Sequence, residues 1–236
     1  MYVQEAIILA GGLGTRLKGV IDNIPKVMAP VNGRPFLEYI LDYLENNMIE
    51  HVVLSVGYKH KIIEEHFKDQ YKSIKIDYAI EKEPLGTGGG IQKAMEYING
   101  TKSLVFNGDT LFQVNLSRVN EFHFSQSARF TIVLRQVEDV SRYGSVETNY
   151  TNRIIHFNEK GEQFGPGKIN GGVYLINKSF FTENNFPEKF SLEKDGFEKL
   201  YIEQPFHAIT CKQYFIDIGI PEDYQKAQND FKLFGY

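Results

Sequence analysis

The sequence predicts an α/β chain built on a mixed, mainly parallel sheet flanked by helices. Three observations carry that expectation. Apolar runs without alternation, such as Ala6-Ile7-Ile8-Leu9-Ala10, read as strands buried on both faces. Such runs alternate with helical periodicity through the first ~135 residues, as right-handed β–α–β crossovers require. Glycine clusters stand directly after two of the strands, at Gly11-Gly12-Leu13-Gly14 and at Gly86-Thr87-Gly88-Gly89-Gly90.

Each element follows from its residues. After the first strand, Phe36, Leu37, Ile40, Leu41 and Leu44 recur at helical spacing. His51 to Val56 reads as a second strand and Lys61 to Tyr71 as a helix with a mixed-charge face. Ile74 to Ile80 alternates as a third strand, and Pro84 to Gly90 is expected to be a loop leading into a helix through Met95. Ser103 to Phe106 and Phe130 to Leu134 complete the strands of the first half. The second half holds shorter strand-like runs: Gly144 to Glu147, Arg153 to Phe157, Gly172 to Ile176, Phe206 to Thr210 and Tyr214 to Ile218. They are expected to extend the main sheet. A helix from Pro221 to Phe231 closes the chain, with proline in its first turn. No linker or composition break separates the halves, so one domain over 1–236 is expected, with a first half at 1–136 and a second, substrate-binding half at 137–236.

The chain has 236 residues, 42% of them hydrophobic and 24% charged, with a formal net charge of −4 and a pI near 5.9. An overall acidic balance argues against a general nucleic-acid surface, which is usually basic, but leaves room for a local positive patch around a phosphorylated small molecule. The single cysteine, Cys211, excludes an intrachain disulfide and any cysteine-based metal framework. There is no basic and apolar leader and no segment long enough to span a bilayer, so a cytoplasmic location with no membrane partner is expected. Oligomeric state is left open.

The stretch from Ala6 to Lys26 points to chemistry. A turn without Cβ atoms at Gly11, Gly12 and Gly14 brings backbone N–H groups close to an anion. Thr15 adds a hydroxyl, Arg16 a planar fork suited to phosphate, and Lys26 a second cation. Neither common glycine motif fits. No Lys follows the last glycine as a P-loop needs, and Leu17 stands where the third glycine of a dinucleotide fingerprint belongs. A nicotinamide oxidoreductase is thereby disfavoured. Ligands of such sheets bind beyond the carboxyl ends of the strands, so Gly11–Arg16, Glu81–Gly90 and Asp109 are expected to share one crevice. Asp109 ends a buried strand, and Asp217 lies in an apolar run between Ile216 and Ile218. Two strand-end carboxylates beside polyphosphate suit Mg²⁺, which takes one or two carboxylates with waters and phosphate oxygens.

The run GGLGTRL…PKVMAPVNGRPFLEYIL resembles the signature of the sugar-1-phosphate nucleotidylyltransferases. EKEPLGTGG, FNGD, NEK, INGGVY and FIDIG follow as that family's further blocks, in its order. The pattern is most similar to the D-glycero-α-D-manno-heptose 1-phosphate guanylyltransferases, and less so to the MurNAc-1-phosphate uridylyltransferases. The resemblance implies a Rossmann-like nucleotide-diphospho-sugar transferase (GT-A-like) fold and an enzyme. It would transfer a nucleoside monophosphate, from GTP by preference, to a sugar 1-phosphate and release pyrophosphate, in glycan synthesis. Mannose-1-phosphate guanylyl transfer stays open as an alternative. A non-catalytic sugar-nucleotide sensor is disfavoured because Arg16, Lys26, Asp109 and Asp217 are all present.

The roles implied are these. Leu9, Gly11, Gly12, Gly14 and Thr15 wrap the triphosphate and base, with Glu81, Pro84, Gly86 and Thr87 on the base side. Glu81 faces the two adjacent donors of guanine, which an acceptor-only carboxylate suits. Arg16 holds the departing pyrophosphate, Lys26 the reacting phosphates, and Asp109 with Asp217 the Mg²⁺. Glu159 binds sugar hydroxyls, Lys160 reaches the sugar phosphate, and Gly108, Gly144, Asn170 and Gly172 line the sugar-phosphate side. Histidines have no required part. Val27 departs from relatives that carry a second proline after the lysine, and no hexapeptide repeats precede the end at Tyr236, so a fused acetyltransferase domain is not expected.

Overall fold

Strand β1 (Glu5–Leu9) lies near the middle of an eight-stranded sheet, because its residues are apolar on both faces. The computed structural model of the chain describes residues 2–12, 23–158 and 162–234. A turn of 3₁₀-helix (Lys26–Met28) and a small hairpin of β2 (Pro30–Val31) and β3 (Arg34–Pro35) lead into α1 (Phe36–Asn46). Then come β4 (His51–Val56), α2 (His60–Phe67), β5 (Gln70–Tyr71), β6 (Ile74–Ile80), α3 (Gly86–Ala94), β7 (Lys102–Asn107), β8 (Thr110–Phe112), α4 (Leu116–Ser125) and β9 (Phe130–Val137). The remainder is β10 (Ser145–Thr148), β11 (Ile154–Asn158), β12 (Gly167–Asn177), α5 (Ser179–Asn184), a π-helical stretch (Leu192–Phe197), α6 (Glu198–Leu200), β13 (His207–Cys211), β14 (Phe215–Asp217) and α7 (Pro221–Asp230).

The sheet runs β13-β9-β12-β7-β1-β4-β6-β5. β7, β1, β4 and β6 are mutually parallel, as are β9 and β13, whereas β12 pairs antiparallel with both β7 and β9. The fold class read from the sequence is therefore the one observed. The two faces carry two cores. Ile8, Val52, Leu54 and Val56 pack with Phe36, Leu37 and Leu41 of α1, while Ile7, Val53 and Val105 pack with Ile91 and Ala94 of α3. The second core continues into an aromatic cluster in which the Phe130 ring lies 5.0–6.0 Å, centroid to centroid, from Tyr174, Phe180, Phe197 and Phe206. Such rings supply much of a core's buried area.

Four expectations need correction. The second-half strands do not simply extend the sheet. β12 is inserted into its middle, β13 forms an edge, and β10 with β11 forms a separate ribbon. The expected helix from Lys61 to Tyr71 stops at Phe67. Lys68 has a φ of 53°, and Gln70-Tyr71 turn back onto β6. β14 leaves the main sheet altogether and pairs antiparallel with β8, a strand the sequence reading missed.

The fourth correction is the second glycine cluster, which is the first turns of α3 and not a loop. Its glycines serve close packing. A Cβ on Gly88 would sit 2.1 Å from the Phe190 ring, and one on Gly89 would sit 2.3 Å from the Glu188 carbonyl oxygen. The Phe190 carbonyl accepts from the N–H groups of Gly88 and Gly89 at 3.1 and 3.4 Å, while Phe190 N donates to Leu85 O at 3.0 Å. The unpaired amides that open a helix are a ready anion site. Here a peptide carbonyl from the chain's second half takes two of them, those of Gly88 and Gly89.

Candidate functional site

The parallel strands end level with one another. Leu9 stands opposite both Ser55 and Asn107, and Ala79 opposite Ser55. Their carboxyl ends open into a cleft of about 710 Å³. Leu9, Gly11, Gly12, Lys26, Glu81, Pro84, Gly86, Thr87, Gly108 and Asp109 all line it, so ten residues singled out from the sequence converge there. Gly14, Thr15, Arg16, Glu159 and Lys160 lie outside the described residues. Sequence reasoning missed Gly57, Tyr58, His60 and Asn107, which also line the cleft. Gly57 and Tyr58 carried a signal that went unused: like Gly11, they directly follow a fully buried strand.

Two glycines explain how the walls approach. A Cβ on Gly108 would lie 2.4 Å from Leu9 O, so the Asn107-Gly108-Asp109 turn crosses the end of β1 only without a side chain there. Gly12 lines the cleft, and a Cβ there would meet none of the described residues within 4 Å.

Glu81 follows β6, its N–H donating to Val56 O at 2.7 Å. Its carboxylate is turned under the start of α3. Oε1 accepts from Ser55 Oγ at 3.0 Å and Oε2 from Leu85 N at 2.9 Å. A Cβ on Gly90 would come within 2.8 Å of Oε1, so that glycine leaves room for the carboxylate. A carboxylate offers about four acceptor positions, and two are used here. Glu81 is thus fixed in orientation and still an acceptor toward the cleft.

The carboxylates meet through the β8–β14 pairing. Asp217 stands opposite Thr110, the residue after Asp109, and Ile218 N donates to Asp109 O at 2.9 Å. Between the two acids lies the Lys26 ammonium, 2.5 Å from Asp109 Oδ2 and 4.0 Å from Asp217 Oδ1. Lys26 is 7% exposed, so its charge is spent on these partners inside the protein. Asp217 Oδ1 also accepts from Gly219 N at 2.7 Å, which orients it. Two acids converging on one cation position is the donor set that a hard divalent ion with few protein ligands uses. No group of three or more His, Cys, Asp or Glu side chains suited to a metal occurs among the described residues.

Gly144, Asn170 and Gly172 do not line this cleft. Gly144 has a φ of 75° and donates to Val140 O at 3.2 Å, in the turn before β10. Asn170 and Gly172 flank a bulge where β12 shifts register against β9. Gly172 has a φ of 69°, and a Cβ there would strike the Asn107 amide at 2.8 Å. The bulge therefore rests on Asn107, at the rim of the cleft, and Asn170 Oδ1 accepts from Gly172 N at 3.0 Å. Asn170 and Gly172, expected on the sugar side, thus form a shelf next to the cleft, while Gly144 lies in the turn before β10.

Comparison with known proteins agrees with this arrangement. Residues 5–232 match the family model described as nucleotidyl transferase. The chain is 47% identical over 229 residues to a D-glycero-alpha-D-manno-heptose 1-phosphate guanylyltransferase of Aneurinibacillus thermoaerophilus, covering 97% of this chain and 99% of that one. It is 44% identical over 221 residues to the protein of the same name from Campylobacter jejuni, covering 94% and 97%. The crystal structure of HddC from Yersinia pseudotuberculosis complexed with GMP-PN superposes with a TM-score of 0.86 at 42% identity, covering 98% of this chain and all of that one. With the strand-end cleft, the paired acids and a family match along nearly its whole length, this chain belongs to the nucleotidyl transferase family.

Proposed function

We propose that this nucleotidyl transferase moves a guanylyl group from GTP to D-glycero-α-D-manno-heptose 1-phosphate, releasing pyrophosphate and forming a GDP-heptose for glycan synthesis. The observation that carries the chemistry is the convergence of Asp109, which lines the cleft, and Asp217, paired beside it, on one cation position. The choice of base and sugar leans on the named relatives and on Glu81, an oriented acceptor that complements the two donors of guanine.

In this reading an oxygen of the sugar phosphate attacks the α-phosphorus, and the bond to the β-phosphate oxygen breaks in line. The nucleophile is already an anion, so no general base is needed. Asp109 and Asp217 would hold Mg²⁺, which supplies charge neutralisation on the transferring phosphate when bound. Lys26 brings positive charge to the same place, and Arg16 and Lys160 would hold the pyrophosphate and the sugar phosphate. Glu159 would take sugar hydroxyls. The work is positioning and charge stabilisation. Among the described residues the cleft lining comes from residues 9–109, which supports the division into a nucleotide-binding half at 1–136 and a sugar-phosphate-binding half at 137–236 of one domain. A cytoplasmic location fits soluble substrates; no helix among the described residues is long and apolar enough to cross a membrane.

The test is pyrophosphate release from a matrix of four nucleoside triphosphates against mannose, glucose, MurNAc and heptose 1-phosphates. GTP with the heptose 1-phosphate is expected to give the highest kcat/KM. Preference for UTP, or for glucose 1-phosphate, would overturn the assignment.

A further inference from the structure

Beneath the β12 shelf lies a buried hydroxyl that the reaction itself does not use. Tyr174 is 0% exposed, and its ring packs against Phe130 and Phe197. A tyrosine wholly inside an aromatic core needs a partner for its hydroxyl. Tyr174 has one in Asn170, whose Nδ2 donates to the hydroxyl at 2.8 Å, with the Asn107 side chain close by. Burial first, and the nearby Glu193 and Asp109 charges next, push its pKa far up, so it stays a neutral phenol.

These two asparagines belong to different walls. Asn107 ends β7, lines the cleft and stands two residues before Asp109. Asn170 begins the bulge, and its Oδ1 fixes the Gly172 N–H. Gly172 in turn lies against the Asn107 amide, so a backbone braces the asparagines from above and the hydroxyl holds Asn170 from below. An amide with two terminal orientations is set by such partners.

We propose that Tyr174 is a positioning residue for the sugar 1-phosphate, acting by fixing Asn170 and, with Asn107, the height of the shelf on which the sugar rests. The inference rests on the reading of that shelf as the sugar side. Nucleotide recognition, which runs through Glu81 and the glycines of the opposite wall, is outside its reach.

Tyr174→Phe keeps the ring and its aromatic contacts and removes only the hydroxyl. It is expected to raise KM for the sugar 1-phosphate about tenfold, the effect of losing roughly one hydrogen bond's worth of orientation. KM for the nucleotide and kcat should stay within about twofold. Asn170→Ala should raise the same KM. The double variant should be no worse than Asn170→Ala alone, because the hydroxyl acts through that amide. The parent is assayed with whichever pair from the matrix it uses best. A parent inactive on every pair refutes the proposed function. An active parent in which Tyr174→Phe leaves the sugar KM unchanged, raises both KM values alike, or adds fully to Asn170→Ala refutes this inference. Loss of the fold at the assay temperature refutes it too, since the hydroxyl would then serve the core and not the shelf.

Discussion

Gly88→Ala sets helix propensity against packing. In an ordinary helix interior the change stabilises by about 0.5–1 kcal/mol. At Gly88 the new methyl would lie 2.1, 2.4 and 2.6 Å from three atoms of the Phe190 ring, where carbon atoms in contact normally sit about 3.5–4 Å apart. The ring must shift by more than an ångström, yet its backbone is held on both sides of the peptide, to Leu85 and to Gly88 and Gly89. The ring itself is stacked on Phe186 at 4.4 Å. Overpacking of this kind costs about 1–3 kcal/mol, and expelling a buried Phe about 3–5 kcal/mol. The pinned ring puts the cost in the upper part of the overpacking range, about 2–3 kcal/mol, so packing wins, with a net loss of about 1–2.5 kcal/mol after the helix gain is taken off. For a chain of this size that is a fall in Tm of roughly 2–10 °C. Urea and thermal unfolding of Gly88→Ala, and of Gly88→Ala with Phe190→Ala, measure it. The double variant should lose less than the sum of the two single changes, because the methyl fills space the ring has left. A Gly88→Ala protein as stable as the parent, or more so, would refute the reasoning.

Asp217→Ala should cut kcat by at least about a hundredfold, with an unfolding transition close to the parent's; near-normal turnover would remove Asp217 from the metal pair. Glu81→Gln should lower the GTP-to-UTP ratio of kcat/KM about tenfold. A glutamine has one acceptor oxygen for Ser55 and Leu85 together, and its amide suits a pyrimidine imide; an unchanged ratio would mean that Glu81 does not read the base. Stability should fall as pH drops from about 6.5 toward 4. Burial first, then the Lys102 and His207 charges, lowers His123 to a pKa of about 4 despite its bond to Asn177, so below its unfolded pKa only the unfolded chain takes up the proton. The loss is on the order of 3 kcal/mol across that window. A His123→Gln variant should flatten that stretch of the curve, and an unchanged slope would assign it to other groups.

Strands β1, β4, β7 and β9 were legible because their middles are buried on both faces, which writes an apolar run into the sequence, and β6 was legible from its alternation. The crevice followed, since their ends can only open on one side of a parallel sheet. What pairs at long range left no such mark. The three residues of β8 look like loop, and β14, legible as a strand, carries no mark of its partner; only their pairing brings Asp217 beside Asp109. The glycines of α3 look like a ligand loop because their reason, the Phe190 and Glu188 backbone, lies about a hundred residues away in the chain. The engagement of Glu81 by Ser55 and Leu85, and of Asn170 by Tyr174, is likewise a matter of orientation, which residue type alone does not set.

The placement of β12 between β7 and β9 fixes an order of events at the ribosome. β7 and β9 are both made before β12, and the chain must pass through β10 and β11 before the strand that joins them appears. Until then β7 has one free edge and β9 has neither neighbour, though both are rich in buried apolar side chains. Such edges invite pairing with other chains. The half whose residues line the cleft is therefore synthesised first, and a chaperone with affinity for extended apolar segments would find its binding sites in β7 and β9 while β12 is still inside the exit tunnel.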